Sequence, residues 1–182
     1  YTFAWCSIAA QSIGGDYLDL LTSDLGDIYA VVADASGHGI NSALLMSSFR
    51  STYRADAPWM ECNELAESLN DEVANEVGAT GMFITAVMLR IERETRQLSI
   101  CSAGHNPVML FRLRTRTVEM IDSHGPPLGF LERAEYEVQG IQLEAGDVLM
   151  LYTDGITEAT DGNLDMFGEE RLIALLRQHA DA

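Results

Sequence analysis

Short apolar runs make the beginning of the chain strand-like. Residues 1–10 and 17–21 have the composition of strands, and residues 28–34 form an apolar run, rich in β-branched side chains, that ends at a glycine-rich turn. We expect these three segments to form neighbouring strands.

Two helices are predicted after these strands. The first covers residues 40 to about 55, and its apolar positions surround more than one face, so we expect it to be covered on several sides, either deep in the fold or as a docking element. Those positions are Leu44, Leu45, Met46 and Phe49. The second covers about residues 61–77, because apolar positions recur every fourth residue opposite acidic ones. Its buried stripe is predicted to be Leu65, Leu69, Val73 and Val77.

Strand patterns dominate the second half of the chain. Residues 82–91 and 97–103 predict a hairpin of central strands. Four further strands are predicted at residues 108–112, 117–121, 135–142 and 147–153. An apolar-periodic helix begins at about Glu169. Because the strands arrive mostly as hairpins, the pattern predicts an α+β fold in which helices pack outside antiparallel sheet.

The composition excludes several classes of function. The chain has 182 residues, enough for one domain with a substantial core, and a formal net charge of -17. An acidic surface repels polyanions, so we expect neither nucleic acid nor anionic lipid as a partner. All 11 basic residues are Arg, and the absence of Lys excludes Walker-type phosphate loops, Lys-based Schiff chemistry and kinase-type nucleotide clamps. No apolar run approaches the ~20 residues of a membrane span, so membrane insertion is not expected.

The chain ends and the cysteines indicate a domain taken from a larger cytoplasmic protein. The sequence begins at Tyr1 without an initiator Met and stops at Ala182 without a terminal cap, so we expect residues 1–182 to be one excised domain. Cys6, Cys62 and Cys101 are odd in number, far apart and flanked by apolar residues. This pattern favours small buried thiols in a reducing compartment over disulfides or metal ligation.

Three aspartates share one sequence setting. Asp16 follows two glycines, Asp34 ends an apolar strand before a Ser-Gly-His-Gly segment, and Asp154 ends another strand before a glycine. Each could be an ordinary turn or cap residue. Carboxylates that cluster at strand ends, however, cannot all stay ionised without a cation, and oxygen ligands select hard metals such as Mg²⁺ or Mn²⁺. The three together favour a metal site.

Seven short motifs are spread over nearly the whole chain. They are GGDYLD (14–19), VADASGHG (32–39), GMFITA (81–86), SAGHNP (102–107), PPLG (126–129), GDVLMLYTDGITEA (146–159) and FG (167–168). In this order they resemble the motifs of PPM-type serine/threonine protein phosphatases of the bacterial RsbU and SpoIIE class. The resemblance implies a four-layer α-β-β-α sandwich of two antiparallel sheets flanked by helices, with a metal cluster at one edge.

The resemblance also assigns ligand roles. Asp34 would bridge two Mg²⁺ or Mn²⁺ ions, and the backbone carbonyl of Ala35 would join Asp16 on one of them. Asp154 would hold the other ion. A bridging hydroxide would then attack phosphorus without a covalent intermediate. The family carries a further aspartate in a DDxT-like strand after the last helix, which this sequence lacks. We expect that this strand has been trimmed; the alternative is that the domain has lost this ligand and binds its second ion weakly.

The function implied by the resemblance is hydrolysis of phosphoserine or phosphothreonine on a regulatory protein. The substrate would be a phosphorylated anti-sigma factor antagonist. An upstream sensory or receiver domain is expected, and in this class the equivalent helices couple regulatory partners or a homodimer to the metal site. Two alternatives stay open: a noncatalytic regulatory module that binds a partner through its helices, and hydrolysis of small-molecule phosphates.

Other polar residues near the motifs have weaker assignments. His38 and His105 lie in glycine-rich loops, where they could contact substrate or outer-shell water or bond to nearby backbone. Glu158 is expected to be a solvated or helix-start carboxylate. A catalytic triad of Asp34, Ser36 and His38 is disfavoured, because triad members normally come from separate segments and no Gly-x-Ser-x-Gly elbow is present.

Overall fold

The computed structural model describes residues 1–8 and 14–180. Within these residues the strands are β1 (Asp16–Thr22), β2 (Ile28–Ala35), β3 (Ile84–Ile91), β4 (Gln97–Ala103), β5 (Val108–Arg112), β6 (Thr117–Ile121), β7 (Gln139–Gln142) and β8 (Val148–Met150). The helices are α1 (Ile40–Asp56), α2 (Cys62–Val77), α3 (Asp154–Thr157) and α4 (Gly168–His179), with a short 3-10 turn at Gly78–Thr80.

The strands form two antiparallel sheets. The larger sheet has the order β1-β2-β3-β4-β7, and the smaller has the order β6-β5-β8. Adjacent strands in the chain pair as hairpins, β1 with β2, β3 with β4 and β5 with β6. This architecture confirms the α+β class and the two antiparallel sheets expected from the sequence.

Three buried clusters separate four layers. One lies between the larger sheet and helices α1 and α2, the second between the two sheets, and the third between the smaller sheet and α4. Strand β2 shows how one segment serves two clusters, because Val31 and Ala33 face the helices while Val32 faces the other sheet. Its unbroken apolar sequence is therefore that of a strand covered on both faces. The layer order confirms the α-β-β-α sandwich.

The two long helices differ in how completely they are covered. In α2 the predicted stripe of Leu65, Leu69, Val73 and Val77 is buried. In α1 the side chains of Leu45, Met46 and Phe49 are buried, but Ile40 and Leu44 are 66% and 63% exposed. Only the face toward the sheet and α2 is packed, so α1 does not lie deep in the fold, and the alternative that it is a docking element stays a prediction. Among the described residues, no helix combines the length and apolarity needed to cross a membrane.

Three predicted strands differ from the structure. Residues 1–8 form no strand and are exposed, and the last two residues of that predicted strand lie outside the described part of the chain. The predicted strand at 135–142 shortens to β7, because Tyr136 is buried against α2 and its hydroxyl donates a hydrogen bond to Oδ1 of Asn70 (3.3 Å). The predicted strand at 147–153 shortens to β8, whose last residue is Met150.

The prediction of buried thiols is confirmed for two of the three cysteines. Cys62 and Cys101 are buried, and burial raises the pKa of the Cys62 thiol to about 11 and that of the Cys101 thiol to about 12. Both thiols therefore stay protonated and act as small apolar groups. Cys6 is exposed, so the prediction of a buried thiol is wrong there, because the segment that carries it packs against no sheet.

Candidate metal centre

The first hairpin brings Asp16 and Asp34 side by side. Asp16 begins β1, Asp34 lies one residue before the end of β2, and the two are direct partners in the antiparallel register. Their carboxyl groups share a hydrogen bond. In the next strand, Thr85 of β3 is the partner of Asp34. Because direct cross-strand partners project from the same face, these three side chains form one polar row across the sheet.

The strand period decides which way this row points. Ala33 and Ala35 belong to the cluster under the helices, whereas Val32 belongs to the cluster between the sheets. Asp34 therefore projects on the same side as Val32, toward the smaller sheet, as the alternation of a strand requires. It does so at the rim of the sandwich, so its carboxyl group is half-buried rather than enclosed.

A glycine allows the two strand ends to approach closely. A Cβ atom on Gly15 would lie 2.8 Å from the backbone oxygen of Ala35, a distance too short for any side chain. The backbone amide of Ala35 also donates a hydrogen bond to the carbonyl of Gly15 (3.3 Å). Gly15 therefore fixes the spacing between the start of β1 and the carbonyl of Ala35, which sequence analysis named as a metal ligand.

Asp154 approaches the pair from the smaller sheet. It is the first residue of the four-residue helix α3, which follows β8 after a three-residue connection. The hydroxyl of Thr153 lies 3.5 Å from Oδ2 of Asp16 and donates a long hydrogen bond to it. The charge of Asp154 acts on Asp34 across the gap between the sheets. The fold thus brings Asp16, Asp34 and Asp154 to one edge of the sandwich.

This arrangement disfavours the ionised form of the Asp34 carboxyl group. Burial, the neighbouring charge of Asp16, the hydrogen bond that the protonated Asp34 carboxyl donates to Asp16 and the charge of Asp154 together raise the pKa of Asp34 to about 7. A carboxyl group in this setting is stabilised in its ionised form by a bound cation.

A cavity of about 530 Å³ opens beside these carboxyl groups. Its lining residues are Asp34, Ser36, Phe83, Thr85, Gly104, His105, Asn106, Pro107, Asp154 and Glu158. Among the described residues no Arg lines the cavity. An anionic ligand would therefore meet only carboxylates, polar groups and apolar side chains unless cations were present.

His105 is fixed by hydrogen bonds at both ring nitrogens. Nδ1 lies 3.1 Å from the hydroxyl of Thr85, and Nε2 lies 3.1 Å from the backbone oxygen of Tyr152. The side chain is 5% exposed. Burial is the largest influence on its pKa and holds it below the usual value for histidine. Of the two roles left open by the sequence, bonding to nearby backbone describes this residue.

The remaining polar candidates are His38, Ser36 and Glu158, of which Ser36 and Glu158 line the cavity. His38 is exposed in the loop before α1. The hydroxyl of Ser36 accepts a hydrogen bond from the backbone amide of Phe83 (2.9 Å), so it serves to tie the loop to β3. Glu158 is exposed, as expected for a solvated carboxylate, but it also lines the cavity.

The donor set fits hard divalent cations, although it is not a closed cage. In residues 1–8 and 14–180, no three His, Cys, Asp or Glu side chains have the spacing of a ready-made metal site. Asp16 and Asp34 form a hydrogen-bonded pair, while Asp154 acts on Asp34 only through its charge. Carboxylates that repel one another separate or take up protons without a cation, so this geometry is the expected one for the protein alone. The donors are all oxygens, as Mg²⁺ and Mn²⁺ require.

Comparison with protein-family models decides the family. The model described as Stage II sporulation protein E (SpoIIE) matches residues 24–182. The chain belongs to the SpoIIE family. Membership confirms the resemblance to the RsbU and SpoIIE class of PPM-type phosphatase domains.

Individual relatives of this SpoIIE domain agree with the family match. It is 30% identical over 160 residues to phosphoserine phosphatase RsbU of Bacillus subtilis (strain 168), covering 86% of this chain and 47% of that protein. The chain spans less than half the length of the curated relatives it matches, from 31% to 47%.

Solved structures share the fold of the SpoIIE domain. The RsbU and RsbW domains of Rv1364c from Mycobacterium tuberculosis match with a TM-score of 0.78 and 23% identity, over 96% of this chain and 48% of that one. RsbX in complex with magnesium matches with a TM-score of 0.70 and 21% identity, over 93% of this chain and 82% of that one. At these identities the likeness concerns the fold.

Thr85 and Asn106 are polar side chains of this site that were not singled out from the sequence. Both line the cavity, and both lie inside motifs that were recognised, GMFITA and SAGHNP. The signal that could have identified Thr85 was register, because a threonine two residues into β3 faces Asp34 only if β2 and β3 pair as they do. No sequence pattern fixes such a register in advance.

Proposed function

We propose that this SpoIIE-family domain is a Mg²⁺- or Mn²⁺-dependent protein phosphatase that hydrolyses phosphoserine or phosphothreonine. The observation that carries the proposal is the crowding of Asp16, Asp34 and Asp154 at one edge of the sandwich, beside a cavity lined by Asp34 and Asp154, which raises the pKa of Asp34 to about 7. Three acidic side chains in such proximity destabilise one another unless they bind cations. Family membership and the relationship to a phosphoserine phosphatase support the same conclusion.

In this proposal the chain supplies ligands and a pocket. Asp16, the backbone carbonyl of Ala35, Asp34 and Asp154 would hold the ions. Bound Mg²⁺ or Mn²⁺ supplies the activation of water and the neutralisation of phosphate charge. The surface of the chain has a formal net charge of -17, so a phosphoserine dianion would otherwise be repelled. The absence of Arg among the described lining residues makes this task depend on the ions.

We extend the proposal to the biological substrate. The relative RsbU is named a phosphoserine phosphatase, and one solved structure joins an RsbU domain to an RsbW domain. On this basis the substrate is a phosphorylated anti-sigma factor antagonist in the cytoplasm. An upstream sensory or receiver domain and a homodimer would act through α1, where Ile40 and Leu44 present uncovered apolar surface.

The decisive experiment is hydrolysis of an aryl phosphate by the full-length protein with Mn²⁺. Chelation or Asp34→Asn is expected to reduce turnover on the order of 100-fold or more, since loss of an outer-shell partner alone costs about 10- to 100-fold. Asp24→Asn, an exposed turn residue of the same type, is the matched control. If the wild-type protein shows no metal-dependent turnover, the noncatalytic regulatory module replaces this proposal. Strong turnover of nucleotides or sugar phosphates, with none of phosphoproteins, would assign small-molecule substrates instead.

A further inference from the structure

A line of hydrogen bonds connects the larger sheet to the segment that carries Asp154. It starts at Thr85, the cross-strand partner of Asp34, whose hydroxyl lies 3.1 Å from Nδ1 of His105. It continues from Nε2 of His105 to the backbone oxygen of Tyr152, also 3.1 Å away. The line therefore ends two residues before Asp154, in the segment that follows β8.

The partners of His105 define its tautomer. A backbone carbonyl oxygen only accepts hydrogen bonds, so Nε2 of His105 must carry the hydrogen. In a neutral imidazole Nδ1 is then an acceptor, and the hydroxyl of Thr85 donates to it. Burial of His105, which lowers its pKa, favours this neutral form. Both ring nitrogens are thus occupied, and neither is left for a substrate.

Tyr152 lies where sheet pairing has already stopped. The last residue of β8 paired with β5 is Met150, opposite Met109. Beyond it, the carbonyl of Tyr152 is held by His105, and the buried side chain of Tyr152 donates a hydrogen bond from its hydroxyl to Glu169 of α4 (2.8 Å). The short connection to Asp154 is therefore fixed by side chains rather than by a strand ladder.

We propose that His105 is a positioning residue, which couples Thr85 in the larger sheet to the Tyr152 carbonyl and thereby sets the distance of Asp154 from Asp16 and Asp34. This inference rests on the proposed function, because it assigns His105 to the same metal centre. Outer-shell partners of this kind orient ligands without touching the ion or the substrate. His105 acts through Asp154 and is not a catalytic acid or base.

The test measures Mn²⁺ affinity of the full-length protein by direct titration, without turnover. His105→Leu removes both hydrogen bonds and is expected to weaken binding by about 10- to 100-fold. His105→Gln keeps an amide donor for the Tyr152 carbonyl and should retain most of the affinity. Thr85→Val removes only the outer bond, with an expected loss of about 2- to 10-fold. The matched controls are His179→Gln at the exposed end of α4 and Thr22→Val at the far end of β1.

A double-mutant cycle separates positioning from general loss of structure. If His105 acts through Asp154, His105→Leu should weaken Mn²⁺ binding little further once Asp154→Asn is present. Fully additive losses would overturn the proposal, as would equal affinities for His105→Leu and His105→Gln. Should His105→Leu fail to fold, the same cycle is run with Thr85→Val and Asp154→Asn, and additivity there has the same meaning.

The histidine itself gives a second readout that needs no metal. The ¹⁵N spectrum of His105 should show a neutral imidazole with hydrogen on Nε2, and hydrogen on Nδ1 would contradict the assignment. Neither readout depends on catalysis. A protein that binds Mn²⁺ in the expected order of variants but hydrolyses no phosphate would refute the proposed function while supporting the role of His105. If instead the protein is active and His105→Leu leaves the Mn²⁺ affinity unchanged, the proposed function is supported and the role of His105 is refuted.

Discussion

Asp16 and Asp34 share a hydrogen bond between their carboxyl groups across the first two strands. Such a bond requires a proton on one of them, and the pKa of Asp34 at about 7 means that it keeps this proton until near neutral pH. The metal-free protein therefore holds a carboxyl group whose ionisation is opposed by its own surroundings. The cost of ionising Asp34 can be measured as a loss in the free energy of unfolding.

We expect Asp34→Asn to stabilise the metal-free protein above neutral pH. In the folded state the pKa of Asp34 is raised from 3.8 to about 7, so its contribution to stability is complete below about pH 4 and is lost as the pH rises through 7. An Asn side chain keeps the hydrogen bond and loses the charge. The gain should be on the order of 1 kcal/mol at pH 8, after allowance for partial exposure, and close to zero at pH 4. Thermal unfolding in the presence of a chelator measures this gain in stability. An equal gain at pH 4 and pH 8 would contradict the raised pKa of Asp34.

Bound metal should reverse this relation between wild type and variant. A cation that binds only the folded state at 100 times its Kd stabilises by about 2.7 kcal/mol, which raises Tm by several degrees. We expect Mn²⁺ to raise the Tm of the wild-type protein and of Asp24→Asn, and to leave Asp34→Asn nearly unchanged. A similar Tm rise in all three proteins would indicate that the ion binds elsewhere on the acidic surface.

Gly15 offers a test of strand spacing at the site. A Cβ at this position would lie 2.8 Å from the carbonyl oxygen of Ala35, so Gly15→Ala must push the end of β1 away from β2. We expect a loss of about 1–3 kcal/mol in the free energy of unfolding and weaker Mn²⁺ binding. Gly14→Ala is a close control, because its Cβ would come no nearer than 3.9 Å to a neighbouring atom, the backbone nitrogen of Asp16. Equal effects of the two substitutions would argue against the steric explanation.

Asn70 should be among the most sensitive positions outside the site. It is fully buried in α2, donates to the carbonyl of Leu131 (3.1 Å), and accepts from the amide of Gly129 (3.0 Å) and the hydroxyl of Tyr136. Asn70→Ala leaves these groups without that partner and is expected to cost about 2–4 kcal/mol in urea unfolding. Asn75→Ala on the exposed side of the same helix should change stability by less than about 0.5 kcal/mol.

The sequence predicted elements well where periodicity and packing agree. Helix α2 was expected at about 61–77 and occupies Cys62–Val77, because its apolar stripe is continuous and its other face is acidic. Residues 1–8 show the opposite case, since strand-like composition produces a strand only when a partner edge is available. The segment before β7 is not part of the sheet because of a tertiary contact, the hydrogen bond from the Tyr136 hydroxyl to Asn70.

The candidate ligands of the site could be predicted from the sequence, but the residues that position them could not. Asp16, Asp34 and Asp154 could be named from glycine-flanked strand ends, and their ligand roles stay predictions. The role of His105 depends on the register of β3 against β2 and on where β8 stops, and a one-residue slip in either would abolish the contacts with Thr85 and Tyr152. The local amino-acid composition determines neither the register of β3 against β2 nor the residue at which β8 ends.

The division of the acidic residues between layers has a mechanical consequence. Two of them stand on the edge of the five-stranded sheet, and the third begins a helix of four residues attached to the other sheet. If the proposed site binds cations, sliding one layer past the other by an ångström would alter the distance between its ligands, while the interior of each sheet stayed intact. Under the proposed function, displacement of an outer helix relative to either sheet would then change the affinity for cations.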